Sequence, residues 1–370
     1  MKKKRIPSAI LAVLMLLPLA AACAPPPSTP QETLAESERD TEDTETVTDQ
    51  NNKEGTEMKE PIFDISVNKT SGGLDSIVIK GDPHKMNWCG NTRHFGEISA
   101  EFGEGKTFKS AMQLIARSNS VSAYENGTVR VTVRRSFDTD GCLRETYTVK
   151  NLTSQTVSFR KGDLGIYVPL ADEYKTADIS LTNYCNQHVW FGENIAWINA
   201  LRQGPSEQNV GLVLLEGSID SYSMDREDQT IKGNRRANLI LNLELSALRP
   251  AEEYTVSWKL FTHKGTEDFF NKLTEYGRNI DFSTENYTVI GDEHFVFDFA
   301  AESATVTCDG AAVSFIKKNG RIYVDYAPRR TGEHRFDIVA DGLRTHATLF
   351  SSPDLDTLIE GMWYNKFRTK

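Results

Sequence analysis

The segment from Asn183 to Gly204, NYCNQHVWFGENIAWINALRQG, has the side chains best suited to contact a ligand. Two tryptophans and a phenylalanine offer flat apolar faces, and each indole adds an N–H donor. Polar side chains that could hold hydroxyl groups lie between them. The candidate ligand-binding residues of the segment are Asn186, His188, Trp190, Glu193, Trp197, Asn199 and Arg202. Sugars present C–H faces and hydroxyl rims, so this combination predicts a carbohydrate site.

A second wall for this site could come from Asn87 and Trp88, which form another amide and indole pair. The same residue pattern also fits the core of a β-sandwich. In that interpretation alternate aromatic side chains point inward, and the amides satisfy loop backbone groups. The sequence leaves both interpretations open.

Catalytic signatures do not accompany the candidate site. The chain has no Gly-x-Ser-x-Gly elbow and no His-Glu-x-x-His pair. The segment AEFGEGKT resembles a phosphate-binding loop, but Ala100 stands where its first glycine is required. Glycoside hydrolysis needs two carboxyl groups about 5–5.5 Å or about 6.5–9.5 Å apart, and nothing in the sequence selects a pair. We therefore assign no catalytic residue, and we predict no cofactor.

Metal chemistry has equally little support in the sequence. Besides Cys23, the chain has cysteines at positions 89, 142, 185 and 308. None belongs to a Cys-x-x-Cys pair or lies in a His-rich context, so no metal site is predicted. The wide spacing allows two disulfides or four buried thiols, and we favour free thiols.

The N-terminus has the features of an export signal. Residues 1–23 comprise a basic start, an apolar run from Ile6 to Leu19 and a small-residue site before Cys23. This arrangement resembles a bacterial lipoprotein signal, which implies that Cys23 is lipidated and anchors the mature chain to a membrane. It also implies a location in the bacterial cell envelope, facing outside the cytoplasm. The alternative is an ordinary cleaved signal with an incidental cysteine.

Residues 24–60 are rich in proline, serine, threonine and acidic residues and have few large apolar ones. Such a segment cannot bury enough surface to offset its ordering entropy, so we predict a disordered acidic linker. Most of the chain's formal net charge of -10 falls in it. The remainder is close to neutral, which argues against a nucleic-acid partner, since that would require a basic face.

The rest of the chain is predicted to be mainly β. Alternating apolar residues and turn pairs such as Asn126-Gly127 and Asp140-Gly141 indicate antiparallel strands from about residue 61. A helix capped by Thr266 follows and ends at Gly277. Short strands then predict a small Ig-like sandwich over residues 285–351. The apolar spacing of residues 352–370 predicts a C-terminal helix that Ser352 caps and Pro353 begins.

A family resemblance gives the large β region a specific fold. Three segments occur in the order GGLDSIVIKGDPHKMNW, YCNQHVWFGENIAWINALRQGP and LNLELSALRPAEEYTVSWKLFTHKGTEDFF. Together they resemble the N-terminal region of bacterial six-hairpin glycosidases and related polysaccharide lyases. The resemblance implies a galactose-mutarotase-like β-super-sandwich over residues 61–280. In that family a helical toroid with the catalytic acids follows the sandwich, and the C-terminal helix lies where such a toroid could begin. Its apolar face must either fold back on a sandwich or contact a possible helical partner domain.

Two functions from different classes are consistent with this sequence. The first is a cell-surface lipoprotein that binds or helps process a poly- or oligosaccharide. The second is a structural or adhesive envelope protein that binds another protein. Whether the chain itself catalyses a reaction stays open.

Overall fold

The computed structural model describes residues 59–90, 92–100, 112–225 and 238–367, and the side chains of the last helix as far as Tyr364. All of them belong to one compact unit, Gly55–Lys370. The predicted signal, Cys23, the predicted linker up to residue 58 and the part of AEFGEGKT after Ala100 lie outside the described residues. The domain boundaries drawn from the sequence stay a prediction.

The described part of the chain is mainly β, as predicted. The elements up to residue 275 are β1 Phe63–Val67, β2 Leu74–Ile79, β3 Ile98–Ala100, β4 Gln113–Arg117, β5 Val121–Glu125, β6 Val129–Phe137, β7 Leu143–Asn151, β8 Val157–Ser158, β9 Leu164–Tyr167, α1 Ala177–Asn183, β10 Cys185–Gly192, β11 Ile195–Arg202, β12 Asn209–Glu216, β13 Ile219–Asp225, β14 Asn238–Leu243, β15 Ala247–Leu248, β16 Glu253–His263 and α2 Thr266–Glu275. The later elements are β17 Ser283–Thr284, β18 Thr288–Ile290, β19 Phe295–Ala300, β20 Ala304–Cys308, β21 Ala311–Ala312, β22 Ile316–Lys318, β23 Arg321–Tyr326, β24 Gly332–Ala340, β25 Leu343–Ser352 and α3 Leu355–Phe367.

An eight-stranded antiparallel sheet dominates the first part of the chain, in the order β10-β11-β12-β16-β7-β6-β5-β4. Strict alternation explains why these segments form strands, since every second residue of β7 is buried. One face of this large sheet packs against the sheet β13-β14-β9-β3 to form the main core. The predicted turns at Asn126-Gly127 and Asp140-Gly141 connect neighbouring strands, with both glycines at positive φ.

The other face of the large sheet, called the outer face below, receives helix α2. Phe269 and Leu273, which are four residues apart and so share one face of the helix, are buried against Val213 and Phe261 of the sheet. The predicted cap is wrong, because Thr266 is the first helical residue and Gly265 precedes it without a side-chain cap. The main chain before the helix is held instead by Asp268, whose carboxylate accepts a hydrogen bond from the Lys264 N–H at 2.8 Å.

Two smaller sheets, β17-β19-β23-β22 and β18-β25-β24-β20-β21, form a second sandwich. Their inner faces share one core, built around the phenylalanines Phe295, Phe297, Phe299 and Phe336. Tight turns of this sandwich lie at Asp309-Gly310, Asn319-Gly320 and Asp341-Gly342, and each of these six residues has a positive φ. Across the described residues the cysteines at 89, 142, 185 and 308 are buried and form no disulfide, in agreement with the favoured interpretation.

Helix α3 begins two residues later than predicted. Asp354 caps it by accepting hydrogen bonds from the Thr357 N–H at 2.9 Å and the Thr357 hydroxyl at 2.7 Å, while Ser352 still belongs to β25. The apolar stripe of the helix, which includes Ile359 and Met362, is exposed. As far as its side chains are described, this stripe is therefore not buried against either sandwich. Within the described ranges, no helix is both long enough and apolar enough to cross a membrane.

Candidate functional site

The aromatic segment singled out in the sequence forms the hairpin β10–β11 at one edge of the large sheet. Its register places Trp190 directly opposite Trp197 and His188 opposite Asn199. Residues directly opposite each other point to the same face of a sheet. These four side chains therefore project from the outer face, whereas Phe191 points into the main core.

The two tryptophans form a half-buried stacked pair. Their ring centroids lie 6.4 Å apart with an interplanar angle of 19°. The Trp190 indole donates a hydrogen bond from Nε1 to the Thr345 hydroxyl at 2.9 Å. Trp197 meets Phe269 and Phe270 of α2 edge to face, with each centroid at 5.4 Å. The pair therefore bridges the large sheet, the helix and the second sandwich.

An open pocket of about 210 Å³ lies beside this pair, and we call it the inter-sandwich pocket. Its described lining residues are Trp190, Ile195, Trp197, Phe270, Asn279, Ile280, Asp281, Phe282 and Tyr287. Tyr287 is 57% exposed. The Trp197 indole N–H and the Tyr287 hydroxyl have no partner among the described residues, so both remain available to a ligand.

The polar part of the inter-sandwich pocket is fixed by the connection between α2 and β17. The Asp281 N–H donates to Asn279 Oδ1 at 2.8 Å, and the Asn279 amide donates to the Thr274 hydroxyl at 3.0 Å. The Asp281 carboxylate pairs with the guanidinium of Arg321. An amide and a paired carboxylate thus lie beside aromatic faces, an arrangement that suits a polyhydroxylated ring.

Glu193 does not line this pocket, contrary to its predicted role. It lies at the tip of the hairpin with φ of 43°, and it is buried against the second sandwich. Its Oε1 accepts from Arg335 Nη2 at 2.7 Å, and its Oε2 lies 3.1 Å from His346 Nδ1. Burial raises the pKa of Glu193, but the hydrogen bond to His346 and the charge of Arg335 bring this pKa below its usual value. Glu193 therefore holds the two sandwiches together as an ion pair.

Trp88 and Arg202 are also structural. Trp88 is fully buried in the main core, so the prediction that it forms a second wall is wrong. The Arg202 guanidinium lies 6.0 Å from the Trp88 ring centroid and donates to Asp82 Oδ2 at 2.6 Å. Although burial raises the pKa of Asp82, hydrogen bonds from Arg202 and from two backbone N–H groups lower it overall. This charge pair belongs to the interior and is closed to a ligand.

The remaining predicted amides are dispersed over the structure. Asn87 accepts from the N–H groups of Ile77 and Cys89 at 3.1 and 3.0 Å, so it satisfies a loop. Asn199 is buried, and its Oδ1 has no partner among the described residues. Asn186 accepts from the Tyr174 hydroxyl at 2.8 Å. His188 is exposed on the edge strand. Of the predicted site residues, only Trp190 and Trp197 line the inter-sandwich pocket.

The other half of the pocket is not among the residues predicted from the sequence. Asn279, Asp281, Phe282 and Tyr287 lie in the segment NIDFSTENY, which spans the predicted boundary between the two β regions. The available signal was a second mixture of aromatic and amide side chains directly after an amphipathic helix. Because connections carry ligand contacts more often than cores do, this composition could have marked the segment.

A larger cavity of about 570 Å³ lies between β1 and the turn that joins β4 to β5. Its described lining residues are Ile65, Ser66, Val67, Lys69, Arg117, Asn119, Ser120, Arg135, Phe137 and Leu143. Lys69 and Arg117 are exposed, and Phe137 supplies one partly buried ring. The cavity lacks paired aromatic faces among these residues, so it is the weaker candidate for a sugar.

Comparison with known proteins gives a structural match. The chain is similar in fold to a polysaccharide lyase. That structure superposes with a TM-score of 0.70 at 24% sequence identity, covering 82% of this chain and 48% of the lyase. The chain therefore spans about half the length of that protein. A scan of family models and a search of curated proteins find no match. The predicted resemblance is thus supported at the level of the fold.

Proposed function

We propose that this chain binds carbohydrate in the inter-sandwich pocket. The observation that carries the proposal is the stacked pair Trp190 and Trp197, half-buried beside an open cavity. The Trp197 indole N–H and the Tyr287 hydroxyl at this cavity have no partner within the described part of the chain. Ligand pockets for drug-sized molecules usually measure about 300–1,000 Å³. A pocket of about 210 Å³ accordingly suits a single sugar ring, such as the end or a branch of a longer chain.

The ligand class follows from chemistry and from the structural match. Aromatic faces contact the C–H face of a sugar, while Tyr287, Asn279 and the Trp197 indole reach its hydroxyl rim. The similar fold of a polysaccharide lyase supports a polysaccharide as the source of that sugar. Asp281 is the single carboxylate among the described lining residues, and it already forms an ion pair with Arg321. This composition favours a binding role over acid–base hydrolysis.

Tyr287→Ala gives the most direct test of this proposal. The side chain is 57% exposed, so its loss should change the free energy of unfolding by no more than about 0.5 kcal/mol. One aromatic contact contributes about 0.5–1.5 kcal/mol, so affinity for the sugar should fall about 2- to 12-fold. A glycan array on the wild-type protein identifies the ligand, and calorimetric titration of the variant then measures its affinity.

Tyr323 provides a matched control for Tyr287. It is 41% exposed on β23 and does not line the inter-sandwich pocket. Tyr323→Ala should therefore bind the ligand as the wild type does. An equal loss of ligand affinity in Tyr287→Ala and Tyr323→Ala would contradict the assignment of the pocket. Binding to no glycan at all would instead favour the alternative of an envelope protein that recognises another protein.

A membrane anchor at Cys23 would place this pocket at the cell surface, with residues 24–60 as a tether. We expect Cys23→Ser to move the protein from the membrane fraction to the soluble fraction, because acyl chains would no longer hold it. Cys142→Ser, which removes a buried thiol of the folded unit, should stay with the membrane. Fractionation and immunoblotting measure the distribution. A Cys23→Ser protein that still sediments with membranes after signal cleavage would refute the anchor.

A further inference from the structure

Three potential metal ligands meet at one end of the second sandwich. Cys308 is the last residue of β20, Asp309 follows it in the turn, and His334 lies on the neighbouring strand β24. Cys308 and His334 are buried, whereas Asp309 is exposed. One ligand atom from each residue lies within 4.8 Å of the other two. A buried thiol, a buried imidazole and an exposed carboxylate thus converge at the edge of the core.

Two of the three distances between ligand atoms at this cluster approach the edges of a zinc tetrahedron, and the third is no more than 4.8 Å. His334 Nδ1 lies 3.3 Å from Asp309 Oδ2 and 3.9 Å from Cys308 Sγ. Zinc binds nitrogen and oxygen at about 2.0–2.2 Å and sulfur at about 2.3 Å. Tetrahedral angles then place nitrogen about 3.3 Å from oxygen and about 3.6 Å from sulfur. The observed distance from nitrogen to oxygen matches the tetrahedral value. The observed distance from nitrogen to sulfur exceeds its tetrahedral value by a few tenths of an ångström.

The hydrogen bonding of His334 leaves the correct nitrogen free for a metal. Its Nε2 lies 2.9 Å from the backbone oxygen of Arg330. A carbonyl oxygen can only accept, so Nε2 must hold a proton. In the neutral imidazole Nδ1 is then unprotonated, and its lone pair points toward the carboxylate and the thiol. Two acceptors facing each other at 3.3 Å require a cation or a proton between them.

The surroundings supply the outer contacts that metal sites use. A ligating histidine usually donates its other ring N–H to a carbonyl or carboxylate, and Arg330 provides that carbonyl. A ligating carboxylate is usually hydrogen-bonded as well. Asp309 Oδ1 accepts from the Arg335 N–H at 3.1 Å, and its Oδ2 accepts from Arg330 Nη2 at 2.7 Å. The side chains of His334 and Asp309 are thus oriented by hydrogen bonds before any metal binds.

We propose that Cys308, Asp309 and His334 form a zinc site with a fourth position open to water. The mixture of thiolate, imidazole and carboxylate favours zinc over magnesium or calcium, which prefer oxygen ligands. The exposed Asp309 gives the metal access to solvent, so the fourth ligand is water. The site was invisible in the sequence because its histidine lies 26 residues after the cysteine, outside any metal-binding spacing.

Cobalt titration of the chelator-treated full-length protein tests this site. Cobalt replaces zinc in such sites, and a thiolate ligand gives an intense charge-transfer band in the near ultraviolet. We expect one cobalt ion per chain, this band, and its loss when zinc is added. Cys308→Ser should abolish the band, and His334→Gln should weaken binding at least 10-fold, since changes at outer contacts alone cost about 10–100-fold.

Two control variants separate this site from other thiols and other histidines. Cys142→Ser removes a different buried thiol and should retain the band. His294→Gln removes a different histidine, whose Nδ1 lies 2.6 Å from Asp325 Oδ1, and this variant should also retain the cobalt band. A wild-type protein that gives no thiolate band with cobalt would overturn the proposal, even if the ligand variants do not fold. A band that persists in Cys308→Ser would also overturn it. Either result would reduce the cluster to a hydrogen-bonded network with a proton on His334.

Discussion

Glu145→Ala is expected to lower the free energy of unfolding by about 3–5 kcal/mol, because it leaves the buried charge of Arg135 without a partner. Arg135 Nε donates to Glu145 Oε1 at 2.7 Å, and neither side chain is more than 1% exposed. The other carboxylate oxygen accepts from the Tyr147 hydroxyl at 2.8 Å and the Trp258 indole at 3.0 Å. Loss of Glu145 therefore also leaves two buried donors unsatisfied. Urea unfolding measures the change.

An exposed ion pair on the same sheet serves as the control. Lys150 Nζ lies 2.9 Å from Glu253 Oε1, and these side chains are 42% and 50% exposed. Water screens such a pair, so Glu253→Ala should cost no more than about 1 kcal/mol. Similar costs for Glu145→Ala and Glu253→Ala would mean that the core admits water around Arg135. That result would contradict the buried network.

Most strands and turns were predictable because their signals are local. The alternation of β7 and the pairs Asn126-Gly127 and Asp140-Gly141 depend on residues within a few positions of each other. The cap of α2 was not predictable in the same way. A threonine directly before an amphipathic run suggests a cap, but the chain begins the helix at Thr266 because Asp268 holds the preceding backbone.

The site was only half predictable because its other half depends on distant contacts. Trp190 and Trp197 could be chosen from their types, and their register follows from a two-strand hairpin. Their exposure could not be read from the sequence, since the same residue type is fully buried at Trp88. Arg202 is paired with Asp82, which lies 120 residues away in the chain, so its guanidinium is not available to a ligand. Such pairings are set by the tertiary fold.

The position of the hairpin tip against the second sandwich depends on the absence of a side chain at Gly192. A Cβ atom built there would lie 2.2 Å from the Thr345 hydroxyl oxygen and 2.9 Å from the His346 backbone nitrogen. Neither distance is tolerable, and the second neighbour is backbone that cannot rotate away. Thr345 is also the residue that accepts the Trp190 indole hydrogen bond. A clash at this point must therefore move the wall of the inter-sandwich pocket.

Gly192→Ala is accordingly expected to destabilise the protein by about 1–3 kcal/mol and to weaken sugar binding. Gly361→Ala is the control, because a Cβ there meets nothing within 4 Å and alanine favours its helix. Adding Thr345→Ala to Gly192→Ala removes the nearest clashing atom, so the double variant should lose less stability than the two single losses added together. Urea unfolding of all four variants and sugar titration of the stable ones measure these effects. A Gly192→Ala variant as stable as the wild type would mean that the two sandwiches are free to separate at this contact. A pocket that depends on their junction could then not hold a sugar ring in a fixed position.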